Sequence, residues 1–342
     1  GSDLPRAPCS SLFLPSFEQP SMAASVGSVA AFDTAHADMV HDTAFDYYGT
    51  RLATASSDRM VKVFDVARDE TQTTTHVADL AGHDGPVWQV AWAHPKFGQI
   101  VASCSFDRRV LVWKESEQQR GAFTQVFSHT HHGSVNAVAF APHEFGLVLA
   151  CGSSDGSVSV LTYKPAENVW DVASIPDAHS IGCTSVSFAP AVPAGAVMPS
   201  SAGDPPAPQP RLTLATGGCD NTAKIWHRDD STGTWKCDET LNMHSDWVRD
   251  VAFCPNGTLP VKQLATAGQD GQVVLWTQAG SGADGDGWKG TVLHNFAPQP
   301  VWRVSWSLSG NVLAATDGTG SVSLWKEEAD GAWVRAADVA GA

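Results

Sequence analysis

The chain has 342 residues, 43% of them hydrophobic, and a formal net charge of −15 at pH 7, with Lys and Arg scattered rather than striped. Phosphate contacts and anionic lipid both call for a basic surface, so this balance argues against direct nucleic-acid binding and direct docking on a charged membrane. Seven cysteines form no CxxC pair and leave one over under any full pairing, which indicates reduced thiols rather than a zinc site or a disulfide framework.

Residues 1–24 are rich in Ser, Pro and Ala and lack any strand pattern. They read as a disordered N-terminal extension, or as a remnant of cloning at Gly1-Ser2 with Met22 as an alternative start. The Leu12-Phe13-Leu14 cluster lacks the length and basic flank of a secretory signal, and no apolar run approaches the 18 residues of a membrane span. Residues 26–34 alternate weakly and read as a strand.

From there one pattern recurs: a turn carrying Asp, then an aromatic or apolar residue closing a strand. The copies are Asp58 with Phe64, Asp107 with Trp113, a weaker Asp155 with Leu161, Asp220 with Trp226, Asp270 with Trp276, and Asp317 with Trp325. Successive Asp residues lie 49, 48, 65, 50 and 47 positions apart. A period of roughly 40–50 residues is the signature of a WD-repeat propeller, one four-stranded blade per repeat. A His precedes the innermost strand of most repeats: His36 or His41, His83, His131 or His132, His179, and His244. Alternating stretches such as 87–92 and 247–253 supply that strand.

The fold expected is therefore all-β: a six-bladed WD-repeat β-propeller forming a single domain over 25–342. Seven Pro within 190–210 mark an exposed loop, at about 190–211, which accounts for the long step of 65. This loop and residues 1–24 cannot bury enough apolar surface to offset ordering, and mobility is expected of both. Residues 279–287, rich in Gly, Ser and Asp, read as a link between two strands of the fifth blade.

Buried polar groups persist only when paired, so His83, Asp107, Trp113, His179, Asp220, Trp226, His244, Asp270 and Trp276 read as structural residues of the repeat. The six turn Asp sit in separate blades, whereas general acid and base catalysis needs carboxylates converging on one substrate. The cluster His129, His131, His132 has no Cys or carboxylate nearby to complete a metal site. No GxSxG elbow, P-loop or GxGxxG element is present. No enzyme activity, cofactor or metal is expected. Trp113, Trp226, Trp276 and Trp325 share one repeat position and Trp92 and Trp306 another, leaving Trp170, Trp235, Trp288 and Trp333 as surface candidates.

Several segments go beyond a generic repeat. His41-Asp42, Asp46-Tyr47-Tyr48-Gly49, the run from Gly82-His83-Asp84-Gly85-Pro86 through Trp92-Ala93-His94-Pro95, and Ala141-Pro142-His143-Glu144-Phe145-Gly146 resemble the Sec-thirteen family. His244-Ser245-Asp246-Trp247-Val248-Arg249-Asp250 and Trp306-Ser307-Leu308-Ser309-Gly310-Asn311 match the same pattern. The N-terminal extension and the Pro-rich loop depart from it. The resemblance implies a non-enzymatic scaffold of the COPII outer coat in ER-to-Golgi transport and of the nuclear-pore Y-complex. It implies α-solenoid partners of the Sec-thirty-one and Nup-ninety-six types, with membrane association only through coat or pore. Expected locations are the cytoplasmic face of the endoplasmic reticulum, COPII vesicles, the nuclear pore and the lysosomal surface. The alternatives are the related Seh-one nucleoporins and an adaptor that reads peptide motifs on the propeller's top face.

Strand counting sharpens the scaffold reading. If 331–339 already serves as the outer strand of blade six, the strand at 26–34 belongs to a seventh blade whose inner strands this chain lacks. The ring is then open, and a partner completes it in trans by strand addition. Val29, Phe32, Met39, Val40, Trp302 and Trp306 are the positions expected along that seam. The competing arrangement has 26–34 closing on blade six itself.

Overall fold

The computed structural model describes residues 32–67, 73–191, 210–229, 231–255, 261–279, 287–328 and 331–339. Blade one comprises β1 (Val40–Phe45), β2 (Arg51–Ser56), β3 (Met60–Val66) and β4 (Thr74–Ala81). Blade two comprises β5 (Val87–Trp92), β6 (Ile100–Ser105), β7 (Arg109–Glu115) and β8 (Phe123–Thr130). Blade three follows with β9 (Val135–Phe140), β10 (Val148–Ser153), β11 (Val158–Lys164) and β12 (Val169–Ile175). Blade four holds β13 (Cys183–Phe188), β14 (Thr213–Gly218), β15 (Ala223–Arg228) and β16 (Trp235–Leu241). Blade five has β17 (Val248–Phe253), β18 (Val261–Gly268), β19 (Gln272–Ala279) and β20 (Lys289–Asn295). Blade six has β21 (Val301–Trp306), β22 (Val312–Asp317), β23 (Val322–Glu327) and β24 (Trp333–Val339). Each blade is an antiparallel sheet in sequence order.

The blades pack face to face, which explains the second strand of each. A strand covered on both faces by sheets that converge toward an axis has little room, so small residues recur there: Ala53, Ala55, Ala102, Ala150, Ala215, Ala265 and Ala267 are all fully buried. The third strand sits further out, where the wedge is wider, and takes Val63, Leu111, Leu161 and Val274. Each such side chain contributes roughly 1.5–3 kcal/mol on burial.

One polar network recurs in this core. In blade two, His83 Nδ1 lies 2.9 Å from Asp107 Oδ2, and His83 Nε2 and Trp113 Nε1 meet Ser103 Oγ at 2.8 and 3.1 Å. Blade four repeats it with His179, Asp220, Thr216 and Trp226, and blade five with His244, Asp270, Thr266 and Trp276. In blade one His36, not His41, takes the role, bonding Asp58 and Thr54 at 2.7 Å each, with Phe64 where blades two, four and five have Trp. Burial alone would raise the Asp107 and Asp220 carboxyls. The His83 and His179 hydrogen bonds and the amides of Asp84 and Ser180 outweigh it, holding both below the ordinary carboxylate range.

Blade three keeps the His but not its acceptor. The register places Cys151 where Ser103 and Thr216 stand, and Leu161 where Trp113 stands. His131 is buried, its Nδ1 lies 3.9 Å from Asp155, and its Nε2 finds no partner. Burial, helped by the neighbouring His129 and opposed by Asp155, lowers its pKa to about 4. A His whose folded pKa lies below its unfolded value of 6.5 takes up a proton less readily in the folded than in the unfolded state, so protonation favours unfolding. Its contribution is whole above pH 6.5 and is lost as pH falls towards 4, about 3 kcal/mol in all. Thermal melts across this window should show that slope, and His131→Leu should flatten it by one proton. Cys151→Ser should supply the missing acceptor and stabilise the chain by about 1 kcal/mol.

Three expectations need correction. Asp317 ends β22 and accepts from Thr319 and Ser321, whereas the register puts Thr319 at the place of Asp220 and Ala315 at that of Thr216. Thr316-Asp317 imitates the turn motif two residues early. Trp288 is buried against Phe253 rather than being a surface residue. Phe32–Thr34, the described end of the expected strand 26–34, is irregular, and the rest of that segment lies outside the described residues, as do 1–24 and most of the Pro-rich loop.

Candidate partner-binding seam

The first strand of each blade lines the axis and, among the described residues, packs on the first strand of the next in five consecutive joints from β1 to β21. No comparable packing joins β21 back to β1. β23 already pairs with β22 and β24 on its two sides, so no further strand can pair along its 321–326 stretch. The ring is open between blades six and one.

Register comparison shows what the opening exposes. Val87, Val135, Cys183, Val248 and Val301 occupy one position of the inner strand and are fully buried against the preceding blade. Val40 stands at that position in β1 and is 41% exposed. Three residues on, Val90, Val138, Val186, Val251 and Val304 are buried, and their counterpart Thr43 is exposed. At the strand end Phe188 and Phe253 are buried and Trp92, Phe140 and Trp306 half-buried, while Phe45 is 59% exposed. Blade six mirrors this from the other side. Leu313, Ala315, Ser323 and Trp325 are buried toward blade five, whereas Ala314, Thr316, Val322 and Leu324 on the opposite face are only half-buried. The exposed surface is thus a sheet face rather than a backbone edge.

Side-chain acceptors on the inner strands link four of the five joints around the axis, blade three having Ala137 at that place, and the pattern changes character at the opening. Asp42 Oδ2 accepts the Val90 N–H at 3.1 Å, Gln89 Oε1 the Val138 N–H at 2.8 Å, and Ser185 Oγ the Val251 N–H at 3.2 Å. Asp250 Oδ2 accepts the Val304 N–H at 3.0 Å. Each acceptor hands on to the next blade. In blade six the same position holds Arg303, a donor, whose Nη2 reaches Asp42 Oδ1 across the opening at 3.2 Å. Burial raises the Asp42 and Asp250 carboxyls, and Arg303 offsets part of the effect at both. The ion pair ties the rims at the axis, and among the described residues nothing fills the outer wedge.

The WD domain, G-beta repeat profile matches residues 27–65, 74–114, 123–161 and 235–277. A protein of Drosophila melanogaster named Protein SEC13 homolog is 48% identical over 319 residues, covering 91% of this chain and 83% of its own length. Protein transport protein SEC13 of Mycosarcoma maydis is 45% identical, covering 88% of this chain and 92% of its own. That of Emericella nidulans is 45% identical, with 90% and 97% covered. The chain belongs to the SEC13 family.

The residues expected along the seam of this SEC13-family chain separate into groups. Val40 lies on the exposed rim, and Met39 beside it is 67% exposed. Phe32 packs edge-on against Phe64, covering blade one. Trp302 is half-exposed on β21 beside Arg249. Trp306 does not face the opening: its Nε1 donates to Ala252 O of blade five at 2.9 Å, as Trp92 does to Ala44 O of blade one. Val29 lies outside the described residues. Thr43, Phe45, Ala314, Val322 and Leu324 were not anticipated. Their signal was present in β1, where Thr43 breaks a column of Val found in all five other inner strands.

Among the described residues no group of three or more His, Cys, Asp or Glu could hold a metal ion. His129 meets Ser159, His131 is buried, and His132 contributes its backbone N–H to Asp155.

Proposed function

We propose that this chain is a non-enzymatic scaffold subunit of a protein-transport coat, whose ring is completed by strands of an α-solenoid partner inserted at the seam. The single observation that carries the reading is the inner strand of blade one. Val40, Thr43 and Phe45 are exposed where the equivalent positions of the other blades are covered by a neighbour. A chain evolved as a free monomer gains nothing from that surface, and covering it offers the hydrophobic gain of a blade joint. Obligate contacts of this kind bury roughly 2,000–5,000 Å². The relatives named as protein transport proteins support a coat role. The resemblance noted in the sequence names the partners: a Sec-thirty-one type subunit in the COPII cage at the endoplasmic reticulum, and a Nup-ninety-six type subunit in the nuclear pore. The turn Asp and loop His residues are spent on one another, which supports structural rather than catalytic use.

Affinity purification of the full chain, with bound proteins identified by mass spectrometry, tests the reading. Stoichiometric recovery of an α-solenoid coat or pore subunit is expected. Recovery only of an enzyme's substrates, or of unrelated short-motif proteins, would contradict it.

A further inference from the structure

A second feature surrounds one mouth of the channel and is built by blades five and six alone. A bulge in each inner strand turns out one residue, giving the series His41, Trp88, Asn136, Thr184, Arg249, Trp302. Asn136 and Thr184 are spent on backbone, donating to Cys183 O and Val248 O. Arg249 is not. Its guanidinium carbon lies 5.0 Å from the Trp247 ring and 4.6 Å from the Trp302 ring, and its Nε donates to Gln269 Oε1 at 2.7 Å. Among the described residues it forms no ion pair, and its two η nitrogens donate to nothing. Asp246, whose Oδ1 accepts the Trp247 N–H at 2.7 Å, does not reach it. Both indoles remain over 40% exposed.

We propose that this mouth binds a peptide segment presenting one carboxylate, taken by Arg249, flanked by apolar side chains that pack on Trp247 and Trp302. A half-buried guanidinium without a counter-ion has lost part of its hydration and recovers it when a carboxylate arrives in bidentate geometry. Burial lowers the Arg249 pKa and the Asp246 charge compensates only in part, while the half-buried Cys219 thiol, its pKa pushed up, carries no charge to help at neutral pH. The two rings fix the plane of the guanidinium and hold water away from it. A single carboxylate matches the single cation, whereas a phosphate dianion would set a second negative charge near Asp246 in a chain already at −15.

The test uses the full chain without any coat subunit, so its outcome is independent of the seam. The probe is the blocked tetrapeptide acetyl-Leu-Asp-Leu-Phe-amide, compared with the same peptide carrying Asn for Asp, and binding is read from the indole N–H resonances in NMR titrations. Shifts confined to the Trp247 and Trp302 signals are expected, with the Asn peptide at least about tenfold weaker. Arg249→Gln should erase the preference for Asp, and Trp302→Ala should weaken both peptides. Equal binding of the two peptides, a preference surviving in Arg249→Gln, no binding of either, or larger shifts with inorganic phosphate would each overturn the proposal.

Discussion

Replacing His179 by Ala is expected to destabilise the ring by about 3–5 kcal/mol, a large part of the roughly 5–15 kcal/mol that holds a typical domain together. The imidazole is fully enclosed and bonded at both nitrogens, to Asp220 at 2.9 Å and to Thr216 at 2.8 Å. Removing it leaves a nearly buried carboxylate whose charge was held by that hydrogen bond, and a hydroxyl that also serves Trp226 at 3.0 Å. Chemical denaturation read by Trp fluorescence measures the loss. His132→Ala, at an exposed ring one residue past the buried His131, should stay within about 0.5 kcal/mol. His131→Ala should cost less than His179→Ala, because His131 already lacks an acceptor at Nε2. Equal losses at 131 and 179 would mean that the network adds nothing beyond filling space.

Val40→Glu is expected to leave the isolated chain within about 0.5 kcal/mol of its original stability while weakening partner binding at least about 100-fold. Val87→Glu, the same change at the same place one blade on, would bury an unpaired carboxylate in a fully enclosed site and unfold the protein. At position 40 that carboxylate meets water until a partner covers it. Phe45→Glu should behave likewise, and calorimetric titration with the solenoid partner, alongside melting curves, checks both. A Val40→Glu variant that melts early would show that the rim is already covered within the chain. One that binds normally would place the contact elsewhere.

The repeat, the blade number and the His, Asp and Trp network were legible in the sequence because each blade spends the same side chains at the same offsets. What misled was imitation and symmetry. Asp317 looks like a turn Asp, yet it lies eight residues before Trp325 where Asp220 lies six before Trp226, and that excess marks the slip. Trp306 was misplaced because the sheets of a propeller bury both faces, so alternation along a strand does not say which neighbour covers a side chain, and Trp288 because a residue just outside a strand was taken for surface although it packs on Phe253. Arg249 escaped notice for a different reason. A bulge between Val248 and Asp250 breaks the period-2 pattern and turns Arg249 out to the channel mouth, and nothing in the run from 247 to 253 announces it. The opening was expected from a strand count that leaned on 26–34, whose described end is irregular, so the count itself is not what the structure bears out. The seam's actual surface, the Val40, Thr43 and Phe45 face opposed to Ala314, Val322 and Leu324, emerged only from comparing burial at equal registers.

In the assembled coat the wedge between blades six and one is expected to be filled by another chain. A structure of this protein bound to its α-solenoid partner, by cryo-electron microscopy or crystallography, tests it most directly. Partner strands are expected between β1 and the open face of blade six, burying Val40, Thr43, Phe45, Ala314, Val322 and Leu324. A partner bound to any other surface, with those six side chains still in solvent, would contradict it.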